Sequence, residues 1–399
     1  MKKILLLGGL RYLIPVIDAA HKQGYYVITA DYLPDNIAHK YSDEYINVSI
    51  TDKEVVLSEA RKRNIDGVMS FAVDPGVVTA AYIQDKMNLP KFGPYESVEI
   101  LQNKDKFRSF LKANGFKVPN AKSYNSIDSV IADESNLTYP VIVKPTDSAG
   151  SKGVSRVDSK SELKEAAEKA FANALKGKII IEDFIEQDGC TSDSDCFSVN
   201  GEMKVFTFSA QRFDKNAANP YTPSAYSWPS TYTESQLYEL KSEIQRLISL
   251  LKMETTVYNI ETRVGKNGVP YIMEVSPRGG GNRLSEMVRY STGTDLITSA
   301  VRAAVGDTVN LDAHSLKGHW AEIILHAEKS GSFKELQFSS LLKKENIKEI
   351  DLWVHEGDMV TAFNGANNAI GTLVLKFDSN DELEKFMENQ TQYFKVVVE

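Results

Sequence analysis

Tyr258-Asn259-Ile260-Glu261-Thr262-Arg263, Tyr271-Ile272-Met273-Glu274-Val275-Ser276-Pro277-Arg278 and Gly279-Gly280-Gly281-Asn282-Arg283 together form the stretch that decides how this chain is read. Glu261 and Glu274 each sit in a short β-rich run, and the turn Gly265-Lys266-Asn267-Gly268-Val269-Pro270 joins the two runs. Carboxylates on neighbouring strands converge on one face, because cross-strand partners lie about 5 Å apart. Hard oxygen ligands at that spacing suit Mg²⁺, which takes one or two carboxylates and fills its octahedron with phosphates and water. An arginine and three glycines follow directly, a combination that holds an anion while backbone approaches closely. Alone, a hairpin with two glutamates is a common structural feature. What stands upstream gives this one its weight and points to nucleotide-dependent phosphoryl transfer.

Lys144 ends the apolar run Tyr139-Pro140-Val141-Ile142-Val143 and is followed by Pro145, which poises it to reach a phosphate. The next loop contains Ser148, Gly150, Ser151, Lys152 and Gly153, small residues whose backbone N–H groups can cradle an anion. It is not the P-loop, which needs G-x-x-x-x-G-K-[ST]. Further on, Glu182-Asp183-Phe184-Ile185 ends a strand, where backbone can meet an adenine edge while Phe184 or Ile185 packs on the ring. Lys104 opens a lysine-rich segment, either a solvated helix face or a phosphate contact.

A chain of 399 residues suggests two or three domains. Hydrophobic content of 42% and charged content of 25% are ordinary for a globular protein. A net charge of −8 argues against a nucleic-acid partner. Two cysteines, Cys190 and Cys196, exclude a disulfide framework, and the scattered histidines form no zinc pattern. The apolar N-terminus is short, is followed by Arg11 and lacks a cleavage site, so it reads as a buried first strand. No apolar run approaches the ~18 residues of a membrane span. A cytoplasmic location with no membrane partner is expected.

Residues 1–97 alternate strand and helix patterns, which predicts a parallel sheet with helices on its faces. The G-x-G-x-x-G of a dinucleotide site is absent, so Gly8, Gly9 and Arg11 are read as contacts for an anionic part of a substrate. Residues 98–118 read as one amphipathic helix. Ser159-x-x-Glu162 and Thr233-x-x-Gln236 read as capping boxes opening two helices. The polar and proline-rich stretches 189–196 and 214–230 read as long surface loops.

In order and spacing, Lys104, Lys144, the small-residue loop, the acidic segment at Glu182, Glu261, Glu274 and Arg278 resemble the ATP-grasp superfamily, and within it the carboxylate–amine ligases of amino acids and dipeptides. The resemblance implies an α/β and α+β architecture. Its parts would be a Rossmann-like pre-ATP-grasp domain over 1–97, an ATP-grasp domain over 98–314 with a lid lobe at about 119–186, and a C-terminal α+β unit over 315–399. It implies ATP as cofactor, with Mg²⁺, or Mn²⁺ in its place, on Glu261, Glu274 and Ser276. Lys104, Lys144 and the 147–153 loop would hold the phosphates, and Glu182, Asp183, Phe184 and Ile185 the adenine. Arg278 would stabilise the transferred phosphate, with Arg283 and Arg263 as candidate clamps for a substrate carboxylate. The expected partners are a small-molecule carboxylate and an amine, joined through an acyl phosphate with release of ADP and phosphate; a homodimer is the default assembly. Alternatives are a purine-biosynthetic or carbamoyl-phosphate-synthase-like ATP-grasp enzyme, and a non-catalytic ATP-binding protein. Two departures stand out: Ser276 takes the place of the family's usual asparagine, and Cys190 that of its ribose-binding glutamate.

Overall fold

The computed structural model describes residues 1–148, 152–217, 219–311 and 313–399. Its N-terminal part is a parallel sheet in the order Glu44–Asn47, Tyr26–Asp31, Lys3–Leu7, Gly67–Ser70. Ile4 to Leu7 are fully buried, as expected of a central strand covered on both faces by helices. The helices Ile14–Lys22, Lys53–Arg63 and Pro75–Met87 lie near the expected positions. Asp52 caps the second through Val55 N–H, and Asn64 and Asn88 end the second and third in the left-handed conformation that asparagine tolerates. The carboxyl ends of the Lys3–Leu7 and Gly67–Ser70 strands deliver Arg11, Tyr12 and Asp74 toward the rest of the chain.

The segment 98–118, expected as one helix, is two: Tyr95–Gln102 and Lys104–Ala113. Asn103 breaks the run in extended backbone, and its side chain accepts from Lys106 N–H. Asparagine competes for backbone hydrogen bonds in this way and so favours a cap over a helix interior. The break makes Lys104 the first residue of a new helix rather than part of a continuous face.

The segment expected as a lid lobe is an antiparallel sheet in the order Ala121–Tyr124, Ile179–Asp183, Val141–Pro145, Ser155–Val157, backed by helices Ile127–Asp133 and Lys160–Ala172. It has its own core, built on Val143, Val157, Leu163, Ala167, Ile179 and Ile181. The Ser159 box does not form: the Ser159 hydroxyl donates to Glu162, whose carboxylate accepts from Asp158 N–H. The Thr233–Gln236 box does form and opens the helix Glu234–Leu250.

The central sheet runs Glu202–Val205, Ser192–Val199, Thr256–Val264, Pro270–Ser276. Its core is continuous with that of the N-terminal sheet, joining Leu5 and Val77 to Phe107, Ile244 and Val275. A fourth sheet orders Ala210–Phe213, Pro223–Trp228, His319–Leu325, Gly371–Phe377 and Ile347–Leu352. The stretches expected as long loops therefore contain strands. Ser192–Val199 is polar in sequence but buried in mid-sheet, and Tyr226 and Trp228 are each 1% exposed. Two strands from before residue 230 pair into the sheet of the C-terminal unit. Among the described residues no helix is long and apolar enough to cross a membrane, and Cys190 and Cys196 are free.

Phe107 ties the Lys104–Ala113 helix into the shared core at 2% exposure. Phe107→Ala is expected to destabilise the protein by about 3–5 kcal/mol in urea denaturation; a cost below about 1 kcal/mol would show that this helix is held elsewhere.

Candidate active site

The hairpin places the two glutamates in direct register, Glu261 opposite Glu274, with an irregularity just after Glu261. Along Thr256–Val264 burial alternates, so that Asn259, Glu261 and Arg263 share the more open face. The neighbouring strand extends the row, with Asp193 opposite Glu261 and Asp195 opposite Asn259. Burial raises the Glu261 carboxyl from its ordinary value, Arg263 opposes the shift, and Glu274 adds to it. A cation between the two glutamates would relieve that cost. Among the described residues no three His, Cys, Asp or Glu side chains group closely enough to hold a metal by themselves. A two-carboxylate site of this kind suits Mg²⁺, which completes its shell with phosphate and water.

Both lysines reach this region, Lys144 from the Val141–Pro145 strand and Lys104 from the start of the Lys104–Ala113 helix. The Lys104 ammonium lies 3.5 Å from Glu274 and donates to the Ser148 carbonyl at 3.2 Å, while its backbone N–H bonds Thr146 at 3.1 Å. Lys144 donates to Glu182, whose other oxygen accepts from Arg108 Nε at 2.9 Å. Arg108 in turn donates to the Met273 carbonyl at 2.8 Å, tying the hairpin to the lid sheet. Burial opposes ionisation of Glu182, but Arg108 and Lys144 outweigh it and hold its carboxyl at about 2. Burial lowers the Lys144 ammonium against the pull of Glu182, and Arg108 and Lys104 add to the lowering. Three cations thus face the carboxylates Glu182 and Glu274, a balance an anion such as a polyphosphate would relieve.

Of the small-residue loop, Gly150 and Ser151 lie outside the described residues. Ser148 donates through its hydroxyl to the Asn173 carbonyl, Lys152 is exposed, and Gly153 has a φ of +71°. Asp147 anchors the loop by accepting from Leu175 and Lys176 N–H at 3.0 and 2.9 Å. In the segment expected to meet a nucleobase, the Glu182 side chain faces the cations. Asp183 N–H bonds Asn120 and Phe184 N–H bonds Pro140, while Ile185 N–H has no partner among the described residues.

The two arginines expected at the reacting centre are otherwise engaged. Arg278 commits four N–H donors, to Asp74 Oδ1 at 2.9 Å, Asp74 Oδ2 at 2.6 Å, Asn259 at 3.1 Å and the Gly279 carbonyl at 3.0 Å. A guanidinium has five. Ser276 donates to Asp74 at 2.9 Å and accepts from Gln102 at 2.8 Å, so its hydroxyl serves this junction rather than facing the glutamate pair alone. Arg283 grips Glu286 at 2.9 and 3.1 Å, Thr372 at 3.0 Å and Glu349 at 2.7 Å. Arg11, by contrast, forms no ion pair among the described residues and lies 5.1 Å over the Trp353 ring.

Sequence reasoning did not single out Asp74, Arg108, Asp193, Asp195 or Tyr226. Tyr12 donates to Asn282 (3.1 Å), Asn282 to Tyr226 (3.2 Å), and Tyr226 to Asp193 (3.2 Å). Asn259 donates to Asp193 at 2.6 Å and accepts from Arg278. The polar chain therefore leaves the first domain at Tyr12 and returns to it at Asp74. Its one available signal was the Ser192-Asp193-Ser194-Asp195 stretch, whose alternation places both aspartates on one strand face.

Burial, with Glu261 adjacent, pushes the Asp193 carboxyl up to about 7, and burial pushes Asp195 to about 6 against its hydrogen bonds from Ser285 and Gly280. The folded protein then holds protons that the unfolded chain, with an ordinary carboxyl near 3.8, releases earlier. Stability should fall as pH rises from about 4 to about 7. Asp193→Asn is expected to flatten this fall in urea titrations of the metal-free protein; an unchanged slope would contradict the assignment.

Residues 137–286 match the family described as ATP-grasp domain. Carbamoyl phosphate synthase large chain from Thermotoga maritima is 24% identical over 288 residues, covering 71% of this chain. The chain spans only 26% of that relative's length. The uncharacterized protein y4rH of Sinorhizobium fredii is 22% identical over 360 residues, covering 88% of this chain and 72% of that protein. Among solved structures, an L-amino acid ligase from Bacillus licheniformis superimposes with a TM-score of 0.84 at 22% identity, over 100% of this chain and 99% of the other. Phosphoribosylglycinamide synthetase from Anaerococcus prevotii does so with a TM-score of 0.77 at 21% identity, over 100% of both chains. The chain thus matches an ATP-grasp domain over residues 137–286 and shares, over its whole length, the fold of these solved structures.

Proposed function

We propose that the protein is an ATP- and Mg²⁺-dependent ligase that joins a small carboxylate to an amine and releases ADP and phosphate. The observation that carries this reading is the register of Glu261 opposite Glu274, with the Lys104 ammonium 3.5 Å from Glu274 and Lys144 in the adjoining lid strand. Mg²⁺ on that pair would shield the phosphoryl oxygens as charge builds on them. Lys104 and Lys144 neutralise the same oxygens from the lid side. In the first step the substrate carboxylate oxygen bonds to the γ-phosphorus as the bond to the ADP oxygen breaks. In the second, the amine nitrogen bonds to the acyl carbon, phosphate leaves, and the nitrogen gives up a proton. No protein nucleophile is required. The lid has its own core, so it can close as a unit and exclude water from the acyl phosphate. Arg11, which forms no ion pair among the described residues and follows the first strand, would receive an anionic group of the substrate.

The likeness to an L-amino acid ligase over essentially all of both chains supports an amino acid as one substrate. A bicarbonate-dependent reading draws support from the carbamoyl phosphate synthase relatives, of which this chain spans about a quarter. Product analysis with ATP, Mg²⁺ and pooled amino acids, against bicarbonate with ammonia, separates the two. ADP and phosphate released only with particular amino-acid pools would support the ligase. AMP and pyrophosphate would overturn the mechanism.

Glu274→Ala is expected to abolish Mg²⁺-dependent turnover in a folded protein, and retained activity would remove Glu274 from the metal site. Lys144→Ala is expected to weaken ATP binding by at least about tenfold, the scale of one lost charge-assisted contact in calorimetry; an unchanged affinity would remove Lys144 from the phosphate site.

A further inference from the structure

Ser276 stands where an asparagine is usual, and its hydroxyl is already engaged. It donates its hydrogen to Asp74 at 2.9 Å and accepts from Gln102 Nε2 at 2.8 Å. At 2% exposure it has little left to offer an ion. A serine side chain also ends one atom beyond Cβ, where an asparagine would begin its amide. The structure sets a different amide against that hydroxyl, from Gln102 at the end of the Tyr95–Gln102 helix.

Donors and acceptors decide which way the Gln102 amide faces. The Asp74 carboxylate, gripped by Arg278, can only accept, so the Ser276 hydrogen goes to it. Gln102 must then present its NH₂ to Ser276, which leaves Oε1 turned elsewhere. Gln102 is half-buried, and its Oε1 accepts no hydrogen bond among the described residues and is not sealed from solvent. Ser276 and Glu274 lie two residues apart on one strand, about 7 Å, so the amide stands one side-chain step from the glutamate pair. Lys104, two residues after Gln102, brings its ammonium within 3.5 Å of Glu274, which puts this turn of chain at the same cleft. The pair itself is short of donors: among the described residues no third His, Cys, Asp or Glu joins it to hold a metal, and Mg²⁺ seeks six oxygens.

This inference rests on the metal reading of Glu261 and Glu274 and extends it. We propose that Gln102 is a further metal-site residue in this chain: its Oε1 supplies, directly or through one water of the ion's shell, the neutral amide oxygen that Ser276 lacks. Side-chain carbonyls are hard, uncharged donors of the type divalent cations take. The chain from Asp74 through Ser276 to Gln102 then holds that donor in place from the first domain.

The test titrates ADP into the full-length protein by calorimetry, once with Mn²⁺ and once with EDTA. The ratio of the two affinities reports the coupling between nucleotide and metal. Wild type should bind ADP more tightly with Mn²⁺. Gln102→Leu should cut that ratio about tenfold, the scale of losing a group that holds or orients a metal, and leave affinity in EDTA unchanged. Gln102→Glu keeps an oxygen but cannot donate to Ser276, and should hold the ratio at or above the wild-type value. An unchanged ratio in Gln102→Leu would overturn the proposal and leave the metal reading standing. A ratio in Gln102→Glu as low as in Gln102→Leu would reduce Gln102 to its bond with Ser276, and would also overturn it. If wild type binds ADP no better with Mn²⁺, or not at all, the metal reading falls and takes the proposal with it. Should Gln102→Leu fail to fold, Gln102→Asn, its amide withdrawn by one methylene, carries the same comparison.

Discussion

The antiparallel register between Thr256–Val264 and Pro270–Ser276 is the constraint on which the rest of the site depends. Side chains alternate along a strand, so a slip of one residue would turn the glutamates to opposite faces. With the register as it stands, one open face carries Asn259, Glu261 and Arg263 from one strand and Glu274 from the other. The order along that face runs from the junction with the first domain, through the carboxylate pair, to the Phe184–Ile185 segment. Arg108 fixes the hairpin from outside through the Met273 carbonyl and, by the same side chain, holds Glu182 beneath Lys144. One guanidinium thus couples the Glu261–Glu274 hairpin to Lys144.

The arginines divide into two kinds. Arg278 and Arg283 hold ion pairs: Arg278 binds Asp74 of the first domain and Arg283 binds Glu349 of the last sheet. Removing one partner of such a buried pair leaves an uncompensated charge, typically at a cost of about 3–5 kcal/mol. They orient the glycine loop between them, which in turn carries Asn282 into the polar chain from Tyr12 to Asp193. Among the described residues Arg11 and Arg263 form no ion pair; Arg11 lies over the Trp353 ring and Arg263 donates to the Ile185 carbonyl. The central sheet shares its core with the first domain, while the sheet around Val143 and Ile181 has a core of its own.

Much of the fold was legible because it rests on local signals. The βα alternation of residues 1–97, the Thr233 capping box and the Gly265–Pro270 turn each declare themselves within a few residues. Lys104, Lys144, Glu261 and Glu274 stood out in the sequence by their order and spacing, and the structure sets Glu261 opposite Glu274 with the Lys104 ammonium 3.5 Å from Glu274. What was hidden depends on distant pairing. The Ser192–Val199 strand reads as polar, yet it is buried because its polar groups find partners across the sheet and in the 207–209 segment. Asp74 looks like an ordinary turn residue until Arg278, two hundred positions later, closes on it. The helix break at Asn103 depends on which of two satisfied arrangements an asparagine adopts, and composition does not decide it.

In the proposed reaction a carboxylate oxygen is transferred to phosphorus. The direct measurement is to supply the active pool with its carboxylates labelled in heavy oxygen and to analyse the released phosphate by mass spectrometry. Acyl-phosphate chemistry predicts that each phosphate carries one labelled atom taken from the carboxylate. Unlabelled phosphate, or label recovered in AMP, would contradict it.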